Sequence, residues 1–343
     1  MEGCLTGPGE GGIFVDRCVA VVKEIDPVFG IKSPIFLRYE TVSGLAGVAN
    51  SPCSWGVSAF NRGEDPPGYV TVLDEAAAAG YSGVELGDYG YMPTDPEVLR
   101  EELNKRGLSL AGAFVPIPLS DPDARYIGET AALQVARLLA EIEDEGPVVI
   151  LSDEILTDSV RTQCAGRIGS EQGFNMLQWE IAAHAVNQIA LTVLNETGLK
   201  TAFHPHCGGF VETPQELALL MEATHPRILG LCLDTGQYAY AGGDPLQLVR
   251  RYEDRVWHVH LKGYDSEVAS AARFEGWDYH EAVGHGVFCD LERSTFEFGD
   301  LLSELDNVGY SGWVVVEQDV IAGSGTPRES AEKSRSFLRG LGV

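Results

Sequence analysis

From about residue 50 onward, short runs of consecutive apolar residues alternate with stretches in which apolar positions recur every three or four residues. The first pattern suits strands covered on both faces, as in a buried parallel sheet; the second suits helices that bury one stripe. PCSWGV (52–57) precedes a helix around Val70 to Ala79, where Val72, Leu73, Ala76 and Ala77 share a face and Gly80 marks the end. GVELGD (83–88) leads through Thr94-Asp95-Pro96 to a helix ending before Gly107, and LAGAFV (110–115) to one from about Glu129 to Glu145. VVILSDE (148–154) precedes a long helix, roughly Glu171 to Thr197. KTAFHPH (200–206) leads to the start signal Thr213-Pro214 and a helix to about Ala223, and LGLCLDTG (229–236) to Asp244-Pro245 and a helix to about Tyr252. VWHVHLKG (256–263) is followed by an irregular insertion from Tyr264 to about Phe298 and a helix carrying Leu301, Leu302 and Leu305. GWVVVEQD (312–319) precedes a last helix from about Pro327 to Leu341.

Eight strands alternating with eight helices predict an α/β fold, a (β/α)8 TIM barrel over residues 49–343, with an N-terminal extension (1–48) and an insertion after strand 7. A doubly wound sheet is the alternative that counting leaves open. The extension holds two apolar stretches, 15–25 and 33–42, and is read as packing on the barrel or on a partner subunit, with a mobile tail as the other reading. A homo-oligomer or a second subunit is compatible with it.

Charge narrows the partners. The chain has 24 basic against 51 acidic residues, a formal net charge of −27, which repels phosphate backbones and anionic membrane surfaces. A small molecule is therefore expected, with no nucleic acid and no membrane. No apolar run reaches the length of a bilayer span. The seven cysteines are scattered without a CxxC pair, so neither a disulfide framework nor a structural zinc site is indicated. The start MEGCLTGPGEGG has no basic, apolar leader pattern, and a cytoplasmic enzyme is expected. No GxGxxG or Walker-type loop follows any strand, which leaves nucleotide binding without support.

Four of the apolar runs stop on residues able to ligate a metal: ILSDE, LCLDTG, HVHLKG and VVVEQD. Parallel strands closed into a barrel present their carboxyl ends on one rim, so Glu154, Asp234, His260 and Glu317 are expected to converge. Three carboxylates and one imidazole suit a divalent cation such as manganese, cobalt or magnesium. ILSDE offers adjacent acids facing opposite ways; Glu154 is preferred, with Asp153 as the fallback. His258, His260 and Lys262 share one side of a strand, and His260 is the better placed of the two imidazoles. His258 then lies deeper, and Lys262 is placed to bind a substrate oxygen. In FHPH, His206 stands nearer the mouth as an acid-base or substrate-binding group, while His204 suits a core hydrogen bond.

The strings GYSGVELGDY, HPHCGGFVETPQEL, LCLDTGQYAYAGGDPL, HVHLKGYD and GYSGWVVVEQD resemble the xylose-isomerase-like barrel superfamily of sugar isomerases and epimerases, and within it the myo-inosose dehydratase branch. The resemblance runs from about Ser51 to Val343. It implies a metal on Glu154, Asp234, His260 and Glu317, and substrate contacts from Glu85, His206 and Lys262; manganese is the ion expected, with cobalt or magnesium as the others. The catalytic set is then His206, Glu154, Glu317 and Lys262, and the substrate-binding set Glu85, His204 and Gln237. Gln237 stands where relatives commonly carry histidine. The expected activity is that of a metal-dependent lyase on a keto-cyclitol or keto-sugar, either dehydrating it or cleaving an oxidised C-glycoside. A keto-sugar isomerase or epimerase is the alternative. A sugar-binding barrel without chemistry is a remoter reading, and the net charge opposes an endonuclease.

Overall fold

The computed structural model describes residues 44–57, 66–143, 146–319 and 325–343. The two apolar stretches of the extension lie outside them. Eight parallel strands close into a barrel: β1 (Gly47–Asn50), β2 (Gly83–Glu85), β3 (Ser109–Ile117), β4 (Val148–Asp153), β5 (Lys200–Phe203), β6 (Leu229–Asp234), β7 (Val256–Leu261) and β10 (Trp313–Val316). β10 pairs with both β1 and β7, so the ring has no open edge. The (β/α)8 expectation holds and the doubly wound sheet is excluded.

The helices that return the chain are α1 (Tyr69–Ala79), α2 (Pro96–Asn104), α3 (Ala124–Ile142), α5 (Met176–Thr197), α6 (Pro214–Ala223), α8 (Pro245–Arg251), α11 (Phe298–Asn307) and α12 (Pro327–Gly340), with short α4 (Ser159–Gln163) and α7 (Thr235–Tyr240) in the loops. Their ends follow local chemistry. Asp95 and Asp244 accept hydrogen bonds from first-turn amides, and Thr213 and Glu216 cap α6 reciprocally. A single core, including Leu73, Leu99, Leu139, Val186, Leu220 and Leu302, fills the space between strands and helices.

Two differences from the sequence reading have physical causes. The first barrel strand is Gly47–Asn50, while PCSW forms a 3-10 turn behind Pro52. The barrel thus begins ahead of residue 49, because a four-residue strand with two small residues carries a weaker apolar signal than the run after it. The insertion is ordered, not irregular. It contains α9 (Ser266–Glu275), α10 (Tyr279–Gly284) and an antiparallel pair, β8 (Gly263–Tyr264) with β9 (Phe288–Cys289), around a small core of Tyr240, Ala269, Ala272, Ala282 and Phe288.

Inside the ring, the end away from the site is closed by the indole of Trp313 lying over Gly83. A Cβ on Gly83 would stand 2.8 Å from that ring, so the close approach requires glycine. Among the described residues no helix is long and apolar enough to cross a membrane.

Candidate active site

Strand alternation sends every second side chain inward, and the last inward position on consecutive strands reaches the carboxyl rim. His204 directly after β5, Asp234 at the end of β6, His260 in β7 and Glu317 just past β10 meet there. One potential ligand atom from each lies within 4.8 Å of all the others. The register supports this, since Asp234 is paired with His260 and Val315, two before Glu317, is paired with the same histidine.

The donor set suits a divalent cation. Asp234 Oδ2 and His260 Nδ1 are buried without a hydrogen-bond partner among the described residues, and His204 Nε2 stands 3.6 Å from that carboxylate oxygen, a costly condition for converging polar atoms unless a ligand takes their lone pairs. His260 is oriented from behind: its Nε2 stands 3.0 Å from Glu85 Oε1, leaving Nδ1 toward Glu317 at 3.4 Å. A carboxylate on the far nitrogen fixes the ring and raises its basicity as a ligand. Glu85 also holds His258 Nε2 at 2.8 Å. Burial opposes the charge on Glu85, but the two imidazoles outweigh it and hold the carboxyl well below its usual range. Burial likewise opposes the charge on Asp234, and His204 and Lys262 outweigh it.

Lys262 continues the inward row of His258 and His260. Its Nζ lies 3.4 Å from Glu317 and 3.2 Å from Asp319, and 5.2 Å from the centre of the Phe288 ring. Burial alone would favour the neutral amine; Asp319, Glu317 and Asp234 overcome it and keep the ammonium charged. Gly236 makes room for this side chain, since a Cβ there would stand 2.8 Å from Lys262 Cγ. The glycine of Asp-Thr-Gly thus has a packing reason.

Several residues named from sequence lie elsewhere. Glu154 stands outside the four-residue cluster and His204 occupies the expected fourth place. The β4 strand ends at Asp153, whose carboxylate accepts from the Leu119 and Phe210 amides, and burial pushes this carboxyl up to about 6. The fallback acid therefore braces two loops. Glu85, expected against substrate, is 2% exposed and lies beneath the histidines. His204 is a cluster member, not only a core histidine.

His206 lines the cavity, but both its ring nitrogens are engaged. Nδ1 is 2.7 Å from the Cys207 carbonyl, which can only accept, so Nδ1 carries the hydrogen. Gln237 Oε1 accepts from the Cys207 amide, which turns Gln237 Nε2 toward His206 Nε2 at 3.0 Å. Burial, with His204 beside it, pushes His206 down to about 3. The imidazole is a neutral group capped by Gln237 in the cavity wall, where the sequence placed it as an acid-base or substrate-binding residue. Gln237 orients side chains around the cavity instead of lining it.

A cavity of about 320 Å³ opens above the cluster, lined among others by Ser51, Cys53, Asp88, Phe114, Leu156, His204, His206, Lys262, Tyr279, Glu317 and Asp319. That volume falls in the range of small-molecule sites. Sequence reasoning missed Asp319 and Tyr279. The spacing of Glu317 and Asp319 by two, placing both acids on one side of the strand end, was the available sign for the first; Tyr279 comes from the insertion and has no local signature.

Comparison with known proteins bears on the family and the fold. Residues 73–341 match the family described as xylose isomerase-like TIM barrel. Inosose dehydratase of Geobacillus thermodenitrificans is 30% identical over 268 residues, covering 78% of this chain and 87% of that protein. Inosose dehydratase of Salmonella typhimurium is 30% identical over 275 residues, covering 79% and 87%. Among solved structures, D-psicose 3-epimerase from Clostridium cellulolyticum H10, determined with D-tagatose, superposes with a TM-score of 0.62 at 15% identity, covering 86% of this chain and 99% of that one; this likeness concerns the fold. The chain belongs to the xylose isomerase-like TIM barrel family. It is an enzyme, similar over most of its length to inosose dehydratases.

Proposed function

We propose that the protein is a divalent-metal-dependent lyase that dehydrates a keto-cyclitol. The observation that carries this reading is the convergence of His204, Asp234, His260 and Glu317 under a cavity that also holds the Lys262 ammonium, in a chain 30% identical to inosose dehydratases. The cation would be held by those four residues, with manganese the expected ion. When bound, it supplies Lewis acidity that draws electron density from a ketone and acidifies the adjacent C–H.

The chain's own groups divide the remaining work. Asp319, in the cavity but outside the cluster, is the base that takes the acidified proton. Lys262, 3.2 Å from it, protonates the departing β-hydroxyl, which leaves as water, and recovers its proton from Asp319. The Gln237 cap holds His206 neutral beside this path. Asp319→Asn is expected to lower kcat about a hundredfold, the usual scale for a positioned acid-base group, while metal content stays at the wild-type level by elemental analysis.

The direct test is incubation of the manganese-loaded protein with 2-keto-myo-inositol, following the absorbance of the dehydrated dione. No product with manganese, cobalt or magnesium removes this substrate. The family's epimerases motivate a second reading, isomerisation or epimerisation; solvent deuterium entering recovered substrate without release of water would favour it.

A further inference from the structure

Tyr279 is the first residue of α10, in the insertion after β7, and it lines the cavity while only 7% exposed. The hydrogen-bond directions around it can be fixed one by one. A backbone amide can only donate, so the Cys207 N–H at 3.2 Å identifies the Gln237 atom it meets as the oxygen. The Gln237 nitrogen therefore carries two hydrogens on the other side. One goes to His206 Nε2, whose lone pair is open because Nδ1 holds the ring hydrogen against the Cys207 carbonyl. The other goes to Tyr279 Oη at 3.1 Å.

The Tyr279 oxygen is thus an acceptor toward Gln237, and its own hydrogen must point elsewhere. No described residue accepts that hydrogen, although the hydroxyl is nearly buried and such donors seldom go unused. The ring is fixed by neighbours, with its centroid 5.6 Å from His206 and 6.3 Å from Phe288. The open direction is the cavity.

We propose that Tyr279 is a substrate-binding and specificity-determining residue, its hydroxyl hydrogen aimed into the cavity at a substrate oxygen by the Cys207–Gln237–His206 arrangement. The inference rests on the reading of this cavity as a keto-cyclitol site and adds a requirement to it: the substrate must carry a hydroxyl or carbonyl oxygen on the side facing the insertion. A site built around such a donor rejects analogues lacking the oxygen, because the donor is then left unpaired.

Tyr279→Phe keeps the ring and removes only the hydroxyl, so it separates binding from packing. In the manganese-loaded full chain, the variant is expected to bind the unreactive probe myo-inositol about five- to tenfold more weakly by calorimetry. Its kcat/KM for 2-keto-myo-inositol should fall at least as far, with metal stoichiometry unchanged. Wild-type affinity and kcat/KM in Tyr279→Phe would overturn the inference.

A second measurement needs no substrate. Nitrogen-15 spectra of the magnesium-loaded chain, labelled at histidine, should show His206 with its hydrogen on Nδ1. A hydrogen on Nε2 would mean that Gln237 presents its oxygen to His206, and the inference fails whatever the activity. If the wild type neither binds nor converts the cyclitols while His206 retains the Nδ1 hydrogen, the substrate reading falls and the directed Tyr279 donor stands.

Discussion

Asp234→Asn is expected to reduce kcat/KM by about a thousandfold or more, the rate equivalent of losing several kcal/mol of cation-derived stabilisation. The substitution is mild by design. Asp234 Oδ1 accepts from the Gln237 amide at 2.7 Å, which an asparagine oxygen can still do, so the start of α7 is kept. What disappears is the negative charge and the second oxygen, Oδ2, which is buried without a hydrogen-bond partner among the described residues and stands 3.6 Å from His204 Nε2. Manganese affinity by equilibrium dialysis should fall in parallel. Chelation of the wild type should reproduce the loss, with recovery on adding manganese back to the wild type but not to the variant. If Asp234→Asn keeps wild-type metal affinity and rate, the cluster is not the centre of the chemistry.

The second large effect concerns stability. Arg161 in α4 is fully buried, donating Nε to the Gly209 carbonyl at 2.7 Å and forming a two-pronged pair with Glu216 at 2.7 and 2.9 Å. Its guanidinium lies over Phe210, and Glu216 Oε2 also accepts the Glu212 and Thr213 amides. This knot ties the loop after β4 to the loop after β5, which carries His204 and His206. Arg161→Met strands a buried carboxylate and is expected to cost about 3–5 kcal/mol, read as a lower urea midpoint at unchanged slope. Adding Glu216→Leu should recover part of the loss, since the unpaired charge is gone. Recovery stays incomplete because two loop amides lose their acceptor. An unchanged midpoint in Arg161→Met would mean that the pair does not hold the loops.

These expectations differ in how readily the sequence yields them. The barrel was legible because strands buried on both faces must be apolar throughout, and seven of the eight stood out as such runs. The first did not, since GVAN is short and half small residues. Asp234, His260 and Glu317 were legible because each ends or directly follows an inward row. The fourth place was not, because strand ends show where a side chain leaves the sheet but not which loop claims it. Asp153 is taken by the amides of Leu119 and Phe210, and His204 moves into the cluster. The role of His206 was hidden in the same way, since its hydrogen bonds come from its own backbone neighbour and from a glutamine thirty-one residues on. Tyr279 depends on how an insertion folds back over the rim, a long-range property with no periodic trace.

His204, Asp234, His260 and Glu317 come from β5, β6, β7 and β10, which are neighbours in the ring. The mouth is therefore divided: one arc carries the four residues proposed to hold an ion, while Ser51, Cys53, Asp88, Phe114 and Leu156 furnish the opposite wall from the remaining strands. Substitutions on that wall can retune which molecule is accepted without disturbing the His204–Asp234–His260–Glu317 cluster, so new specificities can arise in this scaffold by exchanging half a rim.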